Sequence, residues 1–117
     1  MSLEKNIDLS MLLDFYGDML TEKQRETVEM YANDDLSLSE IAQITGLTRP
    51  GVRDRIVKSE ASLRACEEKL GLLARFLALR EEIADITAAI ERKSAESGVD
   101  MTEILAKLRK LQNEEGL

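Results

Sequence analysis

The chain has 117 residues, a net charge of −7 and no histidine, and apolar residues make up 44% of the sequence. This length suits one compact domain or a domain with an extension, and the acidic balance argues against indiscriminate binding to nucleic acids or anionic membranes. Lack of histidine removes the commonest general base and metal ligand, so we expect neither an enzyme nor a metal or cofactor site.

A single cysteine, Cys66, cannot form an internal disulfide, which is typical of proteins in a reducing compartment. No apolar run approaches the roughly 18 residues that a membrane span requires, and the N-terminal sequence MSLEKNIDLS does not resemble a signal peptide. We therefore expect a cytoplasmic protein with no membrane partner.

The first third of the chain predicts two short helices. The first extends from about Lys5 to Tyr16 and ends at Gly17, where a left-handed residue is easily accommodated. Its predicted inward face is formed by Ile7, Met11, Leu12 and Phe15. Thr21 and Gln24 then have the spacing of a capping box, which predicts the start of a second helix.

The segment LSLSEIAQITGLTRPGVRDRIVK has the spacing of a helix-turn-helix. Ser37 and Glu40 fit a second capping box, Gly46 ends that short helix, and Thr48 caps the next helix. An apolar face on this later helix repeats at helical spacing and is formed by Val52, Ile56, Ser59 and Leu63. The pattern predicts a helix-turn-helix over Ser37 to Lys58.

The last third of the chain predicts a long helix and a short one. The long helix extends from about Leu72 to Glu96 and has apolar residues at coiled-coil spacing, namely Leu72, Phe76, Leu79, Ile83, Ile86 and Ile90. Ser97-Gly98 interrupts it, and Asp100 caps a final helix over residues 101–113. We expect these helices to form an antiparallel hairpin and two hairpins to pair in a homodimer. The alternative is a monomer with one shared core.

Two stretches carry a family resemblance. The run LTEKQRETVEMYANDDLSLSEIAQITGLTRPGVR resembles the promoter-recognising C-terminal domain of bacterial sigma factors. The elements LLDFYGDMLTEKQ, YANDDLSLSEIA, TRPGVRDRI and LRACEEKLGLL resemble the small sigma-like family called YlxM, over roughly Leu12 to Phe76. This resemblance implies a regulatory protein without catalytic residues, DNA binding through the helix-turn-helix, and a role in or beside the signal recognition particle pathway.

The predicted recognition helix has a local excess of positive charge. Candidate nucleic-acid-binding residues are Thr48, Arg49, Arg53, Arg55 and Lys58. Directly opposite its apolar face lie Pro50, Asp54, Val57 and Lys58. Of these, Asp54 can only accept hydrogen bonds from bases. In the alternative interpretation the arginines form ion pairs on a solvated surface with Asp34, Asp35 or Glu60.

These patterns predict an all-α protein in two parts. Residues 1–65 form a bundle of short helices that contains the helix-turn-helix, and residues 66–117 form a long-helix and hairpin extension for dimerisation or another interaction. Candidate partners are duplex DNA, the protein or RNA of the signal recognition particle, and a second copy of the chain. The alternative function is that of a dedicated DNA-binding transcription regulator.

Overall fold

The computed structural model is all-α, as the sequence predicts. It describes the backbone of residues 2–114 and the side chains of residues 9–114. In this part of the chain the helices are α1 (Ser2–Tyr16), α2 (Glu22–Ala32), α3 (Leu38–Thr45), α4 (Arg49–Leu70), α5 (Leu72–Ser97) and α6 (Thr102–Glu114), with a short 3-10 turn, Gly17–Met19, after α1.

The chain divides into two compact units, which we call the head (up to Leu73) and the tail (from Ala74). The boundary predicted from the sequence, after residue 65, falls inside α4, which continues unbroken to Leu70. None of the helices in residues 2–114 is long and apolar enough to cross a membrane.

Helix α4 is the central element of the head, because α1, α2 and α3 all pack against it. Its inward row is the predicted one: Val52, Ser59 and Leu63 have no exposed surface, and Ile56 is 6% exposed. The hydroxyl of Ser59 donates to the carbonyl oxygen of Arg55 at 2.7 Å, so this buried polar group is satisfied within its own helix.

The predicted inward face of α1 was right at Leu12 and wrong at Phe15. The buried side chains are Leu9, Leu12, Leu13 and Tyr16, whereas Met11 is half-buried against the core and Phe15 is 36% exposed. The side chain of Ile7 lies outside the described residues. The buried set has the i, i+3, i+4, i+7 spacing of one helical stripe.

Both predicted capping boxes are present. The Thr21 hydroxyl accepts from the backbone N–H of Gln24 at 3.2 Å, and the Gln24 side chain accepts from the backbone N–H of Thr21 at 3.0 Å. Ser37 and Glu40 form the same pair at 3.1 and 3.0 Å, and the hydrogen bond from the Ser37 backbone lowers the pKa of Glu40. These bonds satisfy N–H groups that each helix would otherwise leave without partners.

The turn of the helix-turn-helix depends on Gly46, which ends α3 with a φ of 77°. L-residues with a Cβ rarely adopt this left-handed conformation, so glycine allows the chain to reverse direction there. Its backbone N–H donates to the carbonyl oxygen of Ala42 at 2.9 Å. This hydrogen bond to the last turn of α3 stabilises the start of the interhelical turn.

A buried hydrogen-bond network joins the beginning of the head to its end. The Tyr16 hydroxyl donates to Glu67 Oε1 at 2.5 Å and accepts from the backbone N–H of Leu72 at 3.2 Å. The same Glu67 oxygen accepts from the backbone N–H of Leu73 at 3.0 Å. Tyr16 and Glu67 therefore serve as the caps of the first turn of α5.

The tail is an antiparallel helical hairpin. The ion pair of Arg109 with Glu91, at 3.2 Å, joins α6 to α5 on either side of the connecting turn. In that turn the Ser94 hydroxyl donates to the carbonyl oxygen of Val99 at 2.8 Å. Asp100 accepts from the backbone N–H of Thr102 at 3.0 Å, and α6 begins at Thr102, one residue later than predicted, so Asp100 lies one position before the cap.

Replacing Leu63 with alanine should destabilise the head by about 3 kcal/mol, because the side chain has no exposed surface and its removal leaves a cavity. The matched control is Leu70→Ala, on the same helix, where the side chain is 62% exposed and the expected change is within about 0.5 kcal/mol. Urea unfolding followed by circular dichroism measures both. Equal losses for the two variants would contradict the assigned orientation of α4.

Alkaline pH should destabilise the head through Tyr16. Burial, with the hydrogen bond to Glu67, raises the pKa of Tyr16 above its ordinary value of 10.0, so the fold favours the protonated hydroxyl. That contribution to stability is complete below the ordinary pKa and is lost as the pH rises through the folded-state pKa. Urea unfolding across the alkaline range should show that the free energy of unfolding falls less steeply with pH for Tyr16→Phe than for the natural chain. An equally steep fall for the two proteins would contradict this role of Tyr16.

Candidate nucleic-acid interface

The N-terminal end of α4 is capped by the side chain of Thr48. The Thr48 hydroxyl accepts from the backbone N–H of Gly51 at 3.1 Å, and Pro50 lies in the first turn, where its missing N–H costs no hydrogen bond. A Cβ added at Gly51 would lie 3.0 Å from this hydroxyl oxygen. Glycine at position 51 therefore leaves room for the cap, which fixes where α4 begins.

The outward face of α4 follows from its buried row. The exposed side chains in its first three turns are Arg49, Pro50, Arg53, Asp54, Val57 and Lys58. Of the candidate binding residues, Thr48, Arg49, Arg53 and Lys58 are therefore exposed, and Arg55 is not. Pro50 and Asp54 lie at the centre of this face, opposite the buried row.

The cations on this face differ in their partners. Lys58 forms an ion pair with Asp54 at 3.1 Å, with 71% and 63% of the two side chains exposed, so its charge is partly offset. Among the described residues, no carboxylate lies within 4.0 Å of the guanidinium of Arg49 or Arg53. Glu60, the suggested partner, instead pairs with Arg64 at 2.8 Å. The two arginines are therefore available to an external anion.

Arg49 and Arg53 lie at the edge between α3 and α4. Together with Pro50 they line a depression against Leu38, the first residue of α3. Arg53 also borders a neighbouring groove that includes Tyr31 and Val57. Since α3 and α4 both begin near this edge, the positive ends of both helix dipoles add to the charge of the arginines.

Arg55 occupies a different environment on the opposite flank of α4. Its side chain is half-buried, and its guanidinium donates to the Thr27 hydroxyl of α2 at 3.4 Å. It lines a separate cleft with Lys23, Thr27 and Thr45. Helical geometry predicts Arg53 and Arg55 on opposite flanks of this helix, and the structure has them there.

Chemically, the exposed edge of α4 suits phosphate oxygens better than base edges. Arg49 and Arg53 present forked donors that match the geometry of a phosphate. At the centre of the face, Asp54 offers only acceptors and is already paired with Lys58, and Pro50 has no polar side-chain group. Phosphate contacts fix the position of a protein on a duplex but do not read its sequence.

The apolar stripe of α5 is split into two rows. Phe76, Ile83 and Ile90 are half-buried, whereas Leu72, Leu79 and Ile86 are 44%, 46% and 50% exposed. In α6 the pattern repeats: Leu105 and Leu108 are half-buried, and Ile104 and Leu111 are 46% and 45% exposed. On each helix one row is therefore less exposed than the other.

No sequence pattern indicates Lys23 and Thr27 as neighbours of Arg55, or the network around Tyr16. Thr27 and Arg55 are 28 positions apart, and Tyr16 and Glu67 are 51 positions apart. No spacing rule connects residues at such separations, because their approach depends on how whole helices pack. A buried tyrosine near the end of a helix is the one local sign, since such a hydroxyl needs a hydrogen-bond partner.

The fold and this edge define a class: an all-helical helix-turn-helix protein with exposed cations on the second helix of the motif. Residues 3–104 match the family model described as "Putative helix-turn-helix protein, YlxM / p13 like". A UPF0122 protein of Acetivibrio thermocellus is 40% identical over 89 residues, which cover 76% of this chain and 76% of the relative. One from Halalkalibacterium halodurans is 40% identical over 92 residues, covering 79% and 84%, and one from Clostridium botulinum is 34% identical over 109 residues, covering 93% and 100%. The chain belongs to this YlxM / p13-like family.

Proposed function

We propose that this protein is a non-enzymatic regulator that binds nucleic acid through the exposed edge of α4, with duplex DNA as its first target. The observation that carries the proposal is the pair of exposed arginines, Arg49 and Arg53, with no carboxylate within 4.0 Å among the described residues. In a chain of net charge −7, cations without partners at the start of a capped recognition helix favour contact with phosphates.

Binding of this kind is weakly selective for sequence. The centre of the exposed face carries Pro50 and Asp54, which cannot form the bidentate contacts that arginine makes to guanine or asparagine to adenine. A regulator that binds in this way needs another source of specificity, such as a second protein or the shape of the nucleic acid. That requirement supports the second candidate function.

The second candidate is a regulatory role at the signal recognition particle, through its RNA or its protein. Two things support it: the resemblance to the YlxM family and the lack of base-reading groups on α4. The same arginines would contact RNA phosphates, and the groove beside Arg53 offers Tyr31 and Val57 to a protein. A dedicated DNA-binding transcription regulator is the competing alternative and requires base selectivity.

A further part of the proposal is that the tail pairs with the tail of a second copy. At about 100° per residue, Leu79 and Ile86 are rotated in one direction about the helix axis from the less exposed row of α5. In α6, Ile104 and Leu111 are rotated in the same direction from Leu105 and Leu108. In an antiparallel hairpin, rows related in this way face the same side. A second hairpin placed on that side would complete a four-helix bundle.

The charge of the tail suits such self-pairing. Residues 74–117 contain seven basic and nine acidic residues, so two identical faces repel each other little. Among the described tail residues only Thr87 is classed as buried, at 8% exposure. A two-helix unit with so little interior gains its apolar burial from a partner. Two heads on one symmetric tail would present two recognition helices.

Arg49→Ala/Arg53→Ala should weaken binding to random-sequence duplex DNA and lower the slope of log K against log salt by about 2, the loss of two phosphate contacts. Fluorescence anisotropy across a salt series measures both, on duplex DNA and on signal recognition particle RNA. The control is Arg75→Ala/Arg80→Ala in α5, which removes the same charge from the tail and should leave binding unchanged. Equal weakening by both pairs, or no binding to either nucleic acid, would overturn the proposal.

Light scattering at micromolar concentration should give a mass of twice 13.1 kDa for the natural chain. Ile86→Glu places a charge on the more exposed row and should yield the monomer mass, since burying an unpaired carboxylate in a pairing face is costly. Leu70→Glu, at a side chain in the head that is 62% exposed, is the matched control and should remain dimeric. A natural chain that is monomeric would refute the pairing.

A further inference from the structure

A cleft of about 280 Å³ lies within the head between α2, α3 and α4, apart from the exposed edge of α4. Lys23 and Thr27 of α2, Thr45 of α3 and Arg55 of α4 supply its polar groups, with Glu26 at the same opening. Apolar side chains such as Ile44 complete the wall. The cleft therefore brings together two cations and two hydroxyls from three helices of the head.

Arg55 is the more buried of the two cations in this cleft. Its side chain is half-buried, and it donates to the Thr27 hydroxyl at 3.4 Å, which is near the outer limit for a hydrogen bond. In the described part of the chain no carboxylate lies within 4.0 Å of it. The more exposed Arg25 and Arg64, by contrast, each pair with a carboxylate at 2.6 and 2.8 Å. A guanidinium has five N–H donors, so most of those on Arg55 remain for an external acceptor.

The remaining charges leave the cleft cationic. The ammonium group of Lys23 has no carboxylate within 4.0 Å among residues 9–114. The carboxylate of Glu26 lines the cleft but lies beyond 4.0 Å from both cations. The two threonine hydroxyls already donate to backbone carbonyl oxygens, Thr27 to Lys23 and Thr45 to Ile41, at 2.8 Å each. The donors left to a ligand are thus those of Arg55 and Lys23.

We propose that this cleft binds a phosphate group, held by the forked donors of Arg55 and by the ammonium group of Lys23. Planar guanidinium groups bind phosphate oxygens in pairs, and a half-buried setting weakens competition from water. The phosphate comes either from a nucleic-acid backbone or from a small phosphorylated molecule. The first source rests on the proposed function and adds a contact on the other flank of α4, whereas the second does not depend on it.

Titration of the isotope-labelled full chain with inorganic phosphate tests the site by nuclear magnetic resonance. Binding should shift the backbone amide signals of Thr27 and Thr45, and Arg55→Gln should weaken it about tenfold. Lys23→Gln, at an exposed side chain that leaves the core intact, should weaken it less. Arg109→Gln removes an arginine that is paired in the tail and should bind phosphate as the natural chain does. Absence of phosphate-dependent shifts at Thr27 and Thr45, or shifts that survive both cleft substitutions, would overturn the site.

A second titration, with random-sequence duplex DNA and with a nucleoside monophosphate, distinguishes the sources. If duplex DNA shifts the same signals and Arg55→Gln lowers the salt slope by about 1, the phosphate is that of a backbone. If only the monophosphate does so, a small molecule is the source. DNA binding that depends on Arg49 and Arg53 while the cleft signals stay unchanged with every phosphate compound would refute this inference and leave the proposed function standing. Phosphate binding in the cleft without DNA binding would support this inference and refute DNA binding by the exposed edge of α4.

Discussion

The buried row of α4 is the constraint on which the rest of the head depends. Val52, Ile56, Ser59 and Leu63 are contacted from three sides by α1, α2 and α3, so α4 cannot rotate about its axis without exposing apolar surface. That fixed rotation decides the environment of each basic residue on α4. Arg49 and Arg53 face outward beside α3, and Arg55 turns inward toward α2. Packing on the buried face of α4 thus determines which of its arginines are exposed.

The start of α4 brings three arginines close together in an acidic protein. Arg25, Arg64 and Arg109 each have a carboxylate partner, whereas Arg49, Arg53 and Arg55 have none within 4.0 Å among the described residues. Electrostatic interactions between exposed groups are screened beyond about 8 Å at physiological salt. Acidic groups farther than this from the arginines therefore contribute little to their interaction with an anion, although the overall charge is −7. A local cationic surface and an acidic protein are compatible for this reason.

Sequence reasoning succeeded wherever the determinants are local. Capping boxes at Thr21 and Ser37, the glycine turn at Gly46 and the inward row of α4 all follow from spacings within a few residues, and the structure contains each of them. The inward face of α1 was wrong at Phe15 because two apolar stripes compete on that helix, and only its packing against α2 and α4 selects Leu9 and Leu13 over Phe15. The cleft at Arg55 could not be predicted, since it requires the relative placement of three helices.

The network of Tyr16 and Glu67 bears on how the head is made in the cell. Tyr16 emerges early in synthesis, whereas its partner and the Leu72 backbone N–H that it accepts from lie 51 and 56 residues later. A growing chain that has reached only the end of α3 lacks the helix on which α1 and α2 pack. Contacts at such separations are slow to form because a long loop must close first. The head therefore completes its core only after α4 and the first residues of α5 have left the ribosome, and until then the apolar side of α1 remains open to chaperones or to the ribosome surface.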